Sequence, residues 1–264
     1  MPGRRPAGQR LPAAQRELGG EQVEGRRAVR ELLAAGRRRV REVWVSEGLD
    51  RSRPVAEITD LAARRGVPVR SVARARLDAA ARTDSPQGVL AHAEPLQEVD
   101  LDALASGAPG GPAPFLVALD GVTDPHNLGA ILRTAECAGA TGVVLPRHRS
   151  VHVTPTVAKA ASGAIEHLAM AVVPGIPAAL VQLRRFGVWA VGLDVDGAEN
   201  LFELSVATEP VVLVLGAEGR GLAPLARQRC DVVASIPQQG AVASLNVAVA
   251  GAIGCYEIAR RRMA

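Results

Sequence analysis

Along this chain the apolar positions switch between two periods. Short continuous or alternating runs of Val, Leu and Ala read as strands, and stretches with apolar residues three and four apart read as helices. From Val23 this predicts helix Arg27–Ala35, strand Val40–Ser46, helix Val55–Arg65, strand Val67–Val72, helix Arg74–Ala81 and strand Val89–Ala93. Such a unit, about 75 residues long, is of a size that folds on its own. Ser106–Pro114, SGAPGGPAP, crowds Gly and Pro with no apolar anchor and reads as a linker. Strand Phe115–Leu119, helix Leu128–Ala138, strand Gly142–Leu145, a helix near Pro155–Ser162, strand Leu168–Val173, helix Ile176–Phe186 and strand Val188–Leu193 follow. Strand Val211–Leu215, helix Ala223–Arg229, strand Val232–Ile236 and a closing helix complete the pattern. Apolar strands alternating with helices predict a doubly wound, mostly parallel α/β sheet.

The closing stretch Ile236–Arg262 is apolar on every side for three turns, so its helix is expected to be buried all round. Ser244 and Asn246 are expected in its first turn, and Gly251 and Gly254 let neighbouring backbone come close. The expected division is a disordered tail over residues 1–20, a small α/β domain over 21–95, a linker over 96–114 and the larger α/β domain over 115–264.

Composition narrows the classes. At 48% hydrophobic but 2% aromatic residues, the core is Val, Leu and Ala. No apolar run approaches the roughly 20 residues of a membrane span. MPGRRPAGQRLPAAQ is basic without an apolar stretch and is not expected to be a signal peptide. Cys137, Cys230 and Cys255 lie far apart with no CxxC spacing, which points to a reducing, cytoplasmic setting and away from a disulfide frame or zinc site. His148 and His152 sit four apart in a loop without a third ligand, so no metal is expected. The basic residues are Arg except for Lys159, as GC-rich coding would give. Residues 1–95 hold 19 Arg against 12 acids, a net charge of +7, with Arg37, Arg38, Arg39, Arg41, Arg51 and Arg53 in loops. Residues 96–264 hold 12 basic residues against 15 acids. A basic front half suggests a polyanionic partner.

In open α/β sheets ligands bind beyond the carboxyl ends of the strands. After the first strand of the larger domain comes Asp120-Gly-Val-Thr-Asp-Pro-His-Asn127, then a small apolar helix carrying Arg133. Asn127 can be a helix N-cap, but a lone guanidinium on that helix needs a carboxylate or a phosphate. After Val211–Leu215 comes Gly216-Ala-Glu218-Gly-Arg-Gly221, whose glycines allow close approach of backbone to a ligand. It is neither the GxGxxG of dinucleotide folds nor a P-loop. After Val232–Ile236 come Gly240, Ser244 and Asn246.

LDGVTDPHNLGAILRTAECAGATGVVLP, LVLGAEGRGL and IPQQGAVASLNVAVAGAIGCYEIARRR together resemble the three ordered motifs of the SpoU (TrmH) family, the 2'-O-ribose RNA methyltransferases of the SPOUT class. The front half is similar in plan to the L30e-like RNA-binding domain of the branch that methylates a guanosine of large-subunit (23S) rRNA. The resemblance implies a trefoil-knotted C-terminal domain working as a homodimer. S-adenosylmethionine would be held through backbone groups around Gly216, Ile236 and Leu245. The family's catalytic positions fall on Asn127, Arg133, Glu218, Ser244 and Asn246. Arg133 would grip the phosphate beside the target ribose and activate its hydroxyl, Asn127 and Glu218 would hold Arg133, and Ser244 and Asn246 would place the ribose. A tRNA substrate, an antibiotic-resistance role, a non-catalytic ribosome-assembly role and a nucleotide-dependent enzyme are the alternatives. The filled catalytic set weighs against the third, and the absent GxGxxG against the last.

Overall fold

The computed structural model describes residues 18–49, 52–148, 152–242 and 244–263. Most of the expected tail, and Arg51, lie outside the described residues. The smaller sheet contains β1 (Gln22–Glu24), β2 (Val40–Ser46), β3 (Val69–Val72) and β4 (Val89–Ala93) in the order β1-β4-β2-β3, with β2 and β3 parallel. Its faces are covered unequally. Val29, Leu32 and Leu33 of α1 (Arg26–Ala35) and Ile58 of α2 (Arg53–Arg64) fill one side, while the short α3 (Arg74–Ala80) covers the other with Leu77.

The larger sheet has seven parallel strands: β5 (Phe115–Asp120), β6 (Gly142–Pro146), β7 (Met170–Val173), β8 (Trp189–Leu193), β9 (Glu199–Asn200), β10 (Val211–Gly216) and β11 (Val232–Ser235). Their order is β7-β6-β5-β10-β8-β11-β9, so all carboxyl ends share one edge. Side chains alternate across the sheet. Phe115, Val117 and Leu119 of β5 pack with α5 (Pro125–Cys137), α6 (Pro155–Ala160) and α9 (Val247–Met263). Leu116 and Ala118 pack on the opposite side with α4 (Leu101–Ser106) and α7 (Ile176–Arg184). A last short helix, α8 (Pro224–Arg229), precedes β11.

Three expectations are corrected. Residues 18–20 are not tail: Leu18 is buried in the core of the larger domain, and Gly19 bridges to Val153. The stretch 96–114 is not all linker, because Glu98 bridges to Met170 and Leu101, Leu104 and Ala105 are buried under the larger sheet; the surface run is 108–113. The closing helix is not buried all round. Val247, Gly251, Gly254, Cys255 and Ile258 form its inner stripe, whereas Val249 and Tyr256 are 49% and 51% exposed. Its glycines make room for side chains and not for neighbouring backbone: a Cβ at Gly251 or Gly254 would meet the side chain of Leu215 at 2.7 Å or of Leu213 at 2.8 Å.

The two domains are joined by a buried ion pair. Arg38, counted among the basic loop residues, donates from Nε and Nη2 to Glu166 at 2.9 and 2.6 Å, and from Nη1 to the carbonyl of Gly20 at 2.6 Å. Its side chain is 4% exposed and that of Glu166 1%. Beside it α1 rests on the backbone of Gly163, where a Cβ would lie 2.5 Å from that of Glu31 and φ is +89°. Only glycine meets both conditions.

Candidate active site

The three strand ends singled out from the sequence converge. Asp124, not Asn127, caps α5, its carboxylate accepting the His126 N–H at 3.0 Å, so Asn127 is free to turn inward and is buried. Asn246 caps α9: its Oδ1 accepts the N–H groups of Ala248 and Val249 at 2.9 and 3.3 Å. An oxygen committed to donors fixes the amide orientation, and Nδ2 points the other way. It donates to Asn127 Oδ1 at 3.1 Å and to Glu218 Oε1 at 2.8 Å, while Asn127 Nδ2 donates to the same carboxylate oxygen at 2.8 Å. The closed triangle joins the first turn of α5 and the loop after β10 to the start of α9, and Glu218 Oε2 has no hydrogen-bond partner among the described residues.

Glu218 also lines a cleft of about 610 Å³ at the carboxyl ends of β8, β10 and β11. Gly216, Ile236 and Leu245, the expected cofactor residues, line it too, as does Ser244. Ser244 lies in the loop before α9 and not in its first turn. A Cβ on Gly216 would collide with the backbone of Gly221, so this wall is formed by two stretches of main chain packed directly against each other, which glycine at 216 permits. The cleft fits a nucleoside-bearing cofactor. Sequence reasoning missed Asp194 on the same wall, ion-paired with Arg227 at 3.0 Å. The signal was present, because Asp194 directly follows the apolar strand ending at Leu193.

Arg133 stands apart from the triangle. Its Nη1 donates to Ser162 Oγ at 3.3 Å, and neither Asn127 nor Glu218 touches it, contrary to expectation. Six residues along a helix turn the side chain through about 600°, which leaves Arg133 about 120° round α5 from Asn127. It faces a second cleft, about 470 Å³, between α1 and the larger domain. Among the described residues, no three His, Cys, Asp or Glu side chains group as metal ligands.

A parallel sheet with a glycine-walled cleft at its strand ends and an Asn–Glu–Asn cluster that meets it through Glu218, preceded by a small mixed-sheet domain, defines a two-domain α/β protein built to hold a nucleoside-type ligand. The chain belongs to the SpoU rRNA Methylase family, whose model matches residues 114–256, and residues 22–99 match the RNA 2'-O ribose methyltransferase substrate binding domain. It is 41% identical to the 23S rRNA (guanosine-2'-O-)-methyltransferase RlmB of Pseudomonas aeruginosa, over 92% of this chain and 97% of that one. The corresponding protein of Pseudomonas putida is 39% identical at the same coverage of both chains. Among solved structures, the SpoU methyltransferase AviRb of Streptomyces viridochromogenes in complex with AdoMet superposes with a TM-score of 0.75 at 27% identity, over 92% of this chain and 90% of that one. An AdoMet-bound rRNA methyltransferase from Sinorhizobium meliloti gives 0.73 at 27% identity, over 91% and 87%.

Proposed function

We propose that this chain methylates the ribose 2'-hydroxyl of a guanosine in 23S rRNA, with S-adenosylmethionine as donor. The observation that carries the reading is the Asn127–Glu218–Asn246 triangle, which meets the glycine-walled cleft through Glu218, in a chain that aligns almost end to end with 23S rRNA guanosine methyltransferases. S-adenosylmethionine, when bound, supplies an electrophilic methyl group. Gly216, Ile236 and Leu245 would hold it through main chain and apolar contact, and Glu218, tethered by two amides, would fix the loop at the cleft mouth. Ser244 and Asn246 would place the ribose. Arg133 bears no carboxylate, which suits a guanidinium reserved for a phosphate beside the reacting hydroxyl. What these residues contribute is alignment of the reacting atoms.

The same proposal includes a homodimer, supported by the uncovered face of α9 with Val249 and Tyr256 and by the open position of Ser244 and Asn246. It includes the trefoil knot, supported by β10 lying between β5 and β8 though it follows both in the chain. It also assigns RNA gathering to residues 21–95, chemistry to 115–264, and a cytoplasmic setting.

Mapping of ribose methyls in rRNA and tRNA from cells with and without the gene tests the reading. Loss of one 2'-O-methyl in 23S rRNA, restored in vitro by the purified protein, is the expected result. Loss of a tRNA methyl would overturn the substrate, and no change in either would overturn methylation in favour of an assembly role. Arg133→Ala should abolish turnover while cofactor affinity, measured by calorimetry, stays nearly intact; lost cofactor binding in that variant would sink the assignment of Arg133.

A further inference from the structure

The cleft beside Arg133 does not end there. A neighbouring cleft of about 360 Å³, lined by Lys159 and Gln87, shares Arg26, Arg27 and Ser162 with it, so the two clefts adjoin along the seam between the domains, a groove in two parts. Its floor is set by the close docking of α1 on Gly163 and by the Arg38–Glu166 pair, which fix the two walls relative to each other. Ser162 joins both halves. It adopts the left-handed region at φ 52° and turns its hydroxyl onto Arg133. A non-glycine residue is held in that region only where its surroundings demand it.

The charge in this groove is unbalanced. Glu31 and Glu57 on its wall are both engaged by Arg30, Glu31 also by His167 and Glu57 also by Arg53. Glu24 is fully buried and accepts from the Gln22 amide and from Arg82 N–H and Thr83. Glu136 is the remaining acid on the wall. Against these, Arg26, Arg27, Arg133 and Lys159 have no carboxylate within ion-pair distance among the described residues, although the wall is shared by both domains. Cations left unpaired along a groove, where paired ones were available nearby, suit a row of phosphates. Lys159, the one lysine of a chain that otherwise uses arginine, offers a compact ammonium at the narrow end.

Resting on the RNA-methylation reading above, we propose that this interdomain groove is the track of the RNA strand carrying the target ribose, with Arg27 and Lys159 gripping backbone phosphates that flank the one met by Arg133. The front domain is then a wall of the active site and not a tether for a distant part of the RNA.

The test uses the full-length protein and an in vitro transcribed 23S rRNA fragment containing the mapped site. Arg27→Ala, Lys159→Ala and the double variant are compared with Lys159→Arg and with Arg229→Ala, an exposed arginine on α8 outside the groove. Each lost phosphate contact on a single strand lowers the slope of log K against log salt by about 0.7, which at 0.1 M salt relative to 1 M is about fivefold in affinity. The expected result is a fivefold rise in KM for each single variant, roughly 25-fold for the double, with kcat and S-adenosylmethionine affinity unchanged and the slope preserved in Lys159→Arg. An unaltered slope and KM in the double variant, or an equal loss in Arg229→Ala, would overturn the groove as the track. Wild-type protein that binds the fragment but methylates no RNA would instead overturn the methylation reading, with the binding slopes still reporting on the groove.

Discussion

Replacing Arg38 by alanine should destabilise the whole chain and uncouple its two domains. The substitution removes two charge-assisted bonds to Glu166, at 2.9 and 2.6 Å, and donors to the carbonyls of Gly20 and Glu94. With Glu166 only 1% exposed, its carboxylate is left charged and buried without a counter-ion. Breaking a buried pair in this way costs about 3–5 kcal/mol. For a chain of this length each kcal/mol lowers Tm by about 2–4 °C, so the fall should be roughly 6–20 °C. Since the pair spans the domains, calorimetry should also show a single transition splitting into two. Arg38→Met combined with Glu166→Met removes both charges and should recover about 3–5 kcal/mol relative to Arg38→Ala, returning the chain close to wild-type stability. A Tm within about 2 °C of wild type for Arg38→Ala, together with weakened RNA binding, would refute the structural role and return Arg38 to the RNA-facing set.

Gly216→Ala should open the wall of the larger cleft, because the new Cβ collides with the Gly221 backbone, and lower S-adenosylmethionine affinity at least about tenfold; calorimetric affinity within twofold of wild type would contradict this. Burial pushes the thiols of Cys230 and Cys255 up to about 12, so at pH 8 roughly one molecule in ten thousand carries either thiolate. Partial burial and Glu136 also raise the exposed Cys137 thiol, though less. Iodoacetamide at pH 8 should therefore modify Cys137 alone, faster as pH rises, and mass spectrometry finding adducts on Cys255 in the folded protein at a similar rate would count against the packing of α9.

The alternation of strands and helices was legible because burial on both faces leaves nearly unbroken apolar runs, as in Val211–Leu215 and Phe115–Leu119. What escaped was short or distant. β1 has three residues, too few to show a period, and α4 hides Leu101 and Leu104 among residues whose flanks are Gly and Pro. Leu18 looked like tail because its partners in the core lie beyond residue 114. The role of Arg38 could not be read from its arginine-rich neighbourhood, since its partner is 128 residues away. The apolar periphery of α9 was visible, but a sequence does not say whether the same chain covers it, and here Tyr256 and Val249 stay open. At its end Arg262 was legible only as charge. It donates to the carbonyls of Ala113, Pro114, Ala207 and Glu209 and lies over Phe115, so burial lowers its pKa while it fastens the last turn to the domain entry. The resemblance named Asn127, Glu218 and Asn246 but assigned the first two to Arg133 and the third to the ribose, so their bonds to one another were not legible, and Asn127 as a helix cap was the wrong local reading of that residue.

The separation of Arg133 from the triangle has a mechanical meaning. Asn127 and Arg133 leave α5 in different directions, one toward Glu218 at the glycine-walled cleft and the other toward the interdomain groove, so α5 is the partition between the two clefts. With cofactor and RNA placed as proposed, methyl transfer would need the hydroxyl delivered across that partition. The Arg133–Ser162 bond, long at 3.3 Å and exposed to solvent, is a weak restraint. An exposed neutral acceptor of this kind contributes about 1 kcal/mol, far less than a phosphate returns to a guanidinium in a groove of unpaired cations. Ser162 thus holds Arg133 only weakly at the edge of the groove, and on the proposed track an arriving phosphate, not the protein alone, would complete the site.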